Sequence, residues 1–334
     1  MKRILVIGGG SIGERHVRCF QATQRADVSL CEINDDLRTV VGERYELKRS
    51  HRSIEEALAD SAFDAAVICT PAHLHIPMAY QLAAHGCGLL IEKPLSISQD
   101  GTDGLIAEIA GRQIPASVAY VLRQHPALQA MRACVAEGRF GRPVEVVYTG
   151  GQHFPFYRPA YREIYYARHE MGGGAIQDAL THVVNAAEWI VGPVTKLVAD
   201  ATHQLLEGVD VEDTVHLMTH HAASTEAFVM GSFSLNQHQA PNESTWTVIC
   251  ENGTVRFEFH HNRWLSCTQP GSDWVVEESF QIERDELFVR QANAFLDQLD
   301  EKTGPACSLA EAKQTLRVNL SALKSVQSGA WENV

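Results

Sequence analysis

Lys2-Arg3-Ile4-Leu5-Val6-Ile7-Gly8-Gly9-Gly10-Ser11-Ile12-Gly13 is the stretch whose reading decides the fold. Ile4 to Ile7 is a short aliphatic run ending at glycine, which predicts a buried strand. Gly8, Gly10 and Gly13 follow in the spacing Gly-x-Gly-x-x-Gly, and apolar residues at helical intervals then run from Ile12 to Gln24. A strand, a glycine turn and a helix in this order direct helix N-terminal amides at a pyrophosphate. The glycines supply the tight turn, room for the phosphate, and close helix packing. The next predicted strand, Val28 to Cys31, ends on Glu32, at the distance downstream where a dinucleotide fold places its acidic residue. That carboxylate accepts hydrogen bonds from a ribose and repels a 2′-phosphate. Gly8, Gly10, Ser11, Ile12, Gly13 and Glu32 are therefore candidate cofactor-binding residues, for NAD rather than NADP.

Outward from this unit the same texture repeats. Strands are expected at Ala65 to Cys69, Leu89 to Ile91 and Ala116 to Tyr120. Helices are expected near Ile54 to Ala59, His75 to Ala84 and Gln99 to Ala110. Alternating strands and helices predict a doubly wound parallel sheet. Ser53-Ile54-Glu55-Glu56 has capping-box spacing, and Gly86 and Gly111 fall where helix ends favour positive φ. After residue 122 the pattern changes. A helix at Ala127 to Ala136 and a strand at Val144 to Thr149 precede a long aromatic and basic loop and a helix from Gln177 to Ile190. Strands follow at Val194 to Ala199, Thr214 to Thr219, Ala227 to Leu235, Thr245 to Cys250, Thr254 to Phe259 and Trp274 to Ser279. They carry partial period-2 alternation, as in an antiparallel or mixed sheet. Helices at Glu286 to Leu299 and Leu309 to Ser325 close the chain. The expected division is 1–122, a Rossmann dinucleotide-binding domain, and 123–334, an α/β domain for substrate and oligomer contacts.

The 334 residues suit two domains, each with a real core. With 28 Lys plus Arg against 41 Asp plus Glu, the net charge of −13 argues against nucleic acid and acidic membrane surfaces as partners. Apolar runs fall far short of a membrane span, and the one after Met1-Lys2-Arg3 is too short for a secretory signal. Eight cysteines without a Cys-x-x-Cys pair suit reduced thiols, and the expected location is the cytoplasm.

Three further patterns carry chemistry. Thr70-Pro71-Ala72-His73-Leu74-His75 and Glu92-Lys93-Pro94 each follow a strand of the first sheet, at the carboxyl ends where open α/β sheets bind ligands. Pro94 keeps Lys93 out of helical geometry. Met171-Gly172-Gly173-Gly174 precedes a helix on which Asp178 and His182 lie one turn apart, as a general acid/base and its orienting carboxylate would. Taken singly, each of the three reads more readily as a plain loop or a wet helix face.

In combination, these motifs resemble the Gfo/Idh/MocA family, named for glucose-fructose oxidoreductase and inositol dehydrogenase. The resemblance spans essentially the whole chain. It includes Arg123, Pro126 and the segment Glu137-Gly138-Arg139-Phe140-Gly141-Arg142-Pro143, while Ala72 and Val121-Leu122 depart from the family's usual residues. It implies a Rossmann domain followed by an α/β domain whose open sheet commonly mediates oligomers, here a dimer or tetramer. Lys93 then matches the catalytic lysine, His182 the acid/base and Asp178 a substrate-binding carboxylate. Thr70, Pro71, His75, Glu92 and Lys93 join the cofactor-binding set, and Arg123 the substrate set.

The loop from Gly150 to Glu170 holds four Tyr, three Arg and two His. It serves either as a lid, with Tyr157, Arg158 and Tyr161 at a sugar, or as an interface. No metal set is evident, because strand alternation separates His220 from His221 and no carboxylate completes His260 and His261. The expected activity is hydride transfer between NAD and a secondary hydroxyl or ketone of a sugar, polyol or sugar derivative. Its alternatives are an NAD-retaining glycosidase using transient oxidation and a noncatalytic NAD-binding regulator.

Overall fold

The computed structural model describes residues 1–222 and 227–334. The chain forms two compact units, Met1–Gln124 with Glu283–Lys313 and His125–Ile282 with Gln314–Val334. No helix among the described residues is long and apolar enough to cross a membrane.

In the first unit the order is β1 (Lys2–Ile7), α1 (Ser11–Ala22), β2 (Ala26–Cys31), α2 (Asp35–Arg44), β3 (Ser50–His51), α3 (Ile54–Asp60), β4 (Ala65–Ile68), α4 (His75–Ala84), β5 (Gly88–Ile91), α5 (Thr102–Arg112) and β6 (Ala116–Val118). The strands pair in parallel in the order β3-β2-β1-β4-β5-β6. This is the doubly wound arrangement, whose order reverses between β1 and β4 and opens a crevice at their carboxyl ends. Both sheet faces are covered, so Ile4, Leu5, Val6, Val67, Leu89 and Leu90 are all buried. Each such aliphatic chain contributes about 1.5–3 kcal/mol.

Several local expectations need correction. The sixth strand stops at Val118 rather than Tyr120, and α5 starts at Thr102 rather than Gln99. That helix runs to Arg112, so Gln113, at φ 55°, takes the left-handed position expected of Gly111, whereas Gly86 is left-handed as expected. Ser53 accepts from the Glu56 amide, but the Glu56 carboxylate reaches the amide of Arg52 rather than closing the box on Ser53. The alternation reading missed α2 and β3. In α2 only Val41 is buried, so it shows no apolar stripe.

The returning segment brings α9 (Glu286–Leu299) into the first unit. Asp285 accepts from Arg18 Nε at 2.6 Å, Phe295 meets Phe20 edge to face, and Gln298 accepts from Ser117 at 2.7 Å.

The second unit holds α6 (Pro126–Ala136), β7 (Pro143–Gly151), a short turn α7 (Phe154–Tyr157), a π-helical turn at Ile176–Leu180 and α8 (Thr181–Val191). It continues with β8 (Val194–Thr202), β9 (Thr214–Ala222), β10 (Phe228–Asn236), β11 (Glu243–Cys250), β12 (Gly253–Glu258), β13 (Arg263–Cys267), β14 (Val275–Ser279) and, after α10 (Leu309–Ser328), β15 (Glu332–Asn333). The nine strands form a mixed sheet in the order β14-β13-β12-β11-β7-β10-β9-β8-β15, with β7 and β10 parallel. Burial alternates along β9 and β10, where Val215, Leu217, Val229 and Phe233 point inward. Sequence reading missed β13 and β15, each five residues or fewer.

Candidate active site

The glycine turn fits a dinucleotide on its own geometry. Gly8 sits at φ 93°, a conformation closed to most side chains. A Cβ on Gly13 would lie 1.8 Å from the Gly8 carbonyl oxygen, so the helix can approach the turn only through glycine. A Cβ on Gly10 would meet nothing within 4 Å, which leaves space beside the helix start. Gly10 is the N-cap of α1 and no side chain caps that end, so the first-turn amides are directed outward as an anion site requires.

Glu32, at the end of β2, accepts from the amides of Gly9 at 2.6 Å and Asn34 at 2.8 Å. Arg38 is the cation nearest this carboxylate in sequence. It donates to the Glu32 carbonyl at 2.9 Å and to Asp35 at 2.6 Å.

Two loops line the carboxyl ends of β4 and β5. Thr70-Pro71 follows the first and Glu92-Lys93-Pro94 the second, with a cis bond between Lys93 and Pro94. His75 is buried, with Nδ1 3.0 Å from the Pro94 carbonyl and Nε2 2.8 Å from the Thr70 carbonyl. Burial draws its pKa below the ordinary imidazole value, against the opposing pull of those carbonyls and of Glu92. Its nitrogens thus face protein carbonyls, where sequence reading expected a cofactor contact. Glu92 is also buried, and its Oε1 lies 2.7 Å from His16 Nε2 on α1. Lys93 is half-buried.

In the second unit, Met171 to Gly174 lead into the π-helical turn that carries Asp178, and His182 stands in the first turn of α8. Sequence spacing predicted a regular helix here. The wider turn is a departure of a kind often found at functional sites. Asp178 is 4% exposed and accepts from the Tyr165 hydroxyl at 2.6 Å. His182 is half-buried. Glu212 anchors the entry to this helix. Its Oε1 accepts from the Ile176 amide at 2.8 Å, and its Oε2 pairs with His169 Nε2. A Cβ on Gly174 would lie 2.6 Å from both carboxylate oxygens, which explains a glycine there. The Glu212 hydrogen bond raises the His169 pKa against a smaller opposing effect of burial.

The aromatic loop divides by orientation. Tyr161 and Tyr166 are buried with Phe154, Leu206, Val209 and Val211 in a core of their own. The Tyr161 hydroxyl donates to the Glu207 carbonyl at 2.7 Å, so this expected substrate contact packs inward. Burial pushes the Tyr166 phenol well above its ordinary range, and its hydroxyl donates to Gln237. Tyr157, Arg158 and Arg168 are exposed, and Arg162 is tied to Glu207. Arg123, the other expected substrate contact, is 3% exposed and donates to Glu311 at 2.6 Å and to the Ala306 carbonyl at 3.0 Å.

Sequence reasoning missed Tyr165, Glu212 and His16. Only His16 left a signal, as an imidazole among the apolar positions of α1.

Elsewhere, His221 is buried, with its pKa brought down to about 4 by that burial, whereas His220 stacks on Phe228. The structure does bring a carboxylate, Glu258, within 4.8 Å of His260 and His261. Glu258 is engaged by Arg263 at 2.6 Å.

Residues 2–120 match the oxidoreductase family model with an NAD-binding Rossmann fold, and residues 128–256 match the GFO/IDH/MocA C-terminal domain. An uncharacterized oxidoreductase of Synechocystis sp. is 27% identical over 218 residues, 64% of this chain and 58% of that protein, so the match spans less than two thirds of that relative's length. Levoglucosan dehydrogenase of Pseudarthrobacter phenanthrenivorans is 24% identical over 285 residues, 76% of this chain and 73% of that protein. A solved structure of a levoglucosan dehydrogenase in complex with NADH has the same fold, with a TM-score of 0.89 at 20% identity over 100% of this chain and 99% of that one. The chain belongs to the Gfo/Idh/MocA oxidoreductase family and carries that family's NAD-binding Rossmann domain.

Proposed function

We propose that this chain is an NAD-dependent dehydrogenase acting on a secondary hydroxyl, or in reverse a ketone, of a sugar, polyol or sugar derivative. The observation that carries the reading is the buried Asp178 carboxylate, gripped by Tyr165 and set one helical turn from the half-buried His182. The named sugar dehydrogenases among the relatives support the substrate class.

Gly8, Gly10, Ser11, Ile12 and Gly13 hold the pyrophosphate and Glu32 the adenosine ribose, with Thr70, Pro71, Glu92 and Lys93 bordering the nicotinamide end. NAD bound there supplies the hydride acceptor. His182 removes the hydroxyl proton, and the Lys93 ammonium stabilises the negative charge that builds on the same oxygen. Asp178 fixes the substrate and favours the protonated His182. In the reductive direction His182 returns the proton. Tyr157 and Arg158 are the loop groups proposed to meet an anionic substituent; Arg123 and Tyr161 are proposed as structural supports instead.

The enzyme is proposed to assemble as a homodimer or homotetramer through the outer face of the second sheet, where Met218, Phe228, Met230 and Trp331 are exposed. A second copy is the natural cover for such an apolar patch. We place it in the cytoplasm, where eight cysteines without a Cys-x-x-Cys pair are kept as thiols.

The test is near-ultraviolet absorbance of the purified protein with NAD, and separately NADP, across polyols, aldoses, uronates and amino sugars. NADH formed with one class is the expected result. Silence throughout by a protein that binds NADH would overturn the dehydrogenase reading in favour of internal redox cycling or a binding role.

A further inference from the structure

Two histidines next to the cofactor rim are buried, and each makes contacts that end at Lys93 or its neighbour. His16 lies on the inner side of α1 with Val17 and Phe20 and is 1% exposed. A buried imidazole needs a hydrogen-bond partner. Its Nε2 is 2.7 Å from Glu92 Oε1, while Nδ1 faces no hydrogen-bond partner among the described residues. Facing a carboxylate, Nε2 is the nitrogen that donates. The second oxygen, Glu92 Oε2, accepts from the backbone amide of Lys93 at 3.1 Å. A carboxylate held through both oxygens has lost its rotational freedom, and with it the amide of Lys93 is fixed.

His75 acts on the other side of the same turn. Its ring lies between the Thr70 carbonyl at 2.8 Å and the Pro94 carbonyl at 3.0 Å, against the loop after β4 and the loop after β5; a neutral imidazole has a single N–H, so one of the two carbonyls accepts its hydrogen bond and the other packs against the ring. The planar ring fills the space between the two loops and hydrogen-bonds to one of them. Lys93 is held at its amide, and the Pro94 carbonyl lies against the His75 ring.

We propose that His16 and His75 are positioning residues that together clamp the Lys93-Pro94 turn, His16 through the Glu92 carboxylate and His75 by packing between the two rim carbonyls and donating to one of them. Preorganisation of this kind is what a charge-stabilising group requires, since a misplacement of about 1 Å can cost about 100-fold in rate. The inference rests on the proposed role of Lys93, and the test separates the two.

His16→Ala, His16→Gln and His75→Ala are compared with wild type and Lys93→Met in the full-length protein. The readouts are kcat and KM with the sugar found to react, NADH affinity by fluorescence, thermal midpoint, and acetic anhydride labelling of Lys93 relative to the exposed Lys48, read by mass spectrometry. The clamp predicts that His16→Ala and His75→Ala lower kcat by about 100-fold and raise Lys93 labelling several-fold. NADH affinity and KM should change far less. His16→Gln, whose side-chain amide can still donate to Glu92, should recover most of the loss. Should His16→Ala not fold, His16→Phe makes the same comparison. Unchanged kcat and labelling in the alanine variants, or equal impairment by glutamine and alanine, would overturn the clamp. Full turnover by Lys93→Met would instead overturn the catalytic role of Lys93, and the labelling would still decide whether the clamp exists.

Discussion

The rim loops of the first unit and the aromatic loop of the second are both rich in polar side chains, yet they use them differently. At the rim, the side chains of His75 and Glu92 turn inward and leave Lys93 as the group they steady. In the aromatic loop, Tyr161 and Tyr166 form a core, and only Tyr165 sends its hydroxyl to Asp178. A cluster of chemically capable residues therefore consists mostly of scaffold, and burial with a local carbonyl partner separates scaffold from site.

The largest expected effect breaks the comparison on the second side. His182→Asn should lower kcat about 1000-fold, within the range of lost general acid/base catalysis, with NADH affinity nearly unchanged; steady-state kinetics with a binding titration check it. Next, Gly13→Ala forces a methyl group against the Gly8 carbonyl. It should cost about 1–3 kcal/mol and weaken NADH about tenfold or more, measured by thermal melts and fluorescence titration.

The division within the aromatic loop is sharpened by a pair of substitutions. Tyr165→Phe removes a hydrogen bond to a buried carboxylate and should lower kcat/KM about 10- to 100-fold, as a bond of about 1.5–3 kcal/mol to a charged group implies. Tyr161→Phe should instead lower stability by about 1 kcal/mol and leave kcat alone. Equal catalytic effects of the two would erase the distinction.

The smallest effect is a pH dependence. Glu212 holds the His169 pKa above its ordinary value, so the stabilisation is complete below that ordinary value and disappears as pH rises through the raised one. His169 is half exposed, and the gain is correspondingly small. The melting difference between wild type and His169→Gln should be visible near about pH 6 and vanish near about pH 9.

What was legible in the sequence follows the strength of local rules. Gly8 and Gly13 were readable because their backbone and contacts admit nothing larger, β1 because Ile4 to Ile7 is an unbroken aliphatic run, and α4 and α9 because their buried residues recur at helical spacing. By contrast, α2 buries one residue and shows no period, and Gln113 rather than Gly111 takes the left-handed position because α5 continues through the exposed Gly111 and Arg112, past its last buried residue, Ile109. No local rule marks the π-helical turn at Ile176–Leu180. Nor could spacing choose Tyr165 over Tyr157 and Tyr161, since that choice depends on where Glu207, Glu212 and Gln237 arrive from far along the chain.

The most direct test of the account is NADH formation by wild type and Lys93→Met, followed by near-ultraviolet absorbance with NAD and a responding sugar. The account predicts steady NADH production by wild type and about 100- to 1000-fold slower production by the variant at nearly unchanged NADH affinity. Equal rates for the two proteins would contradict it.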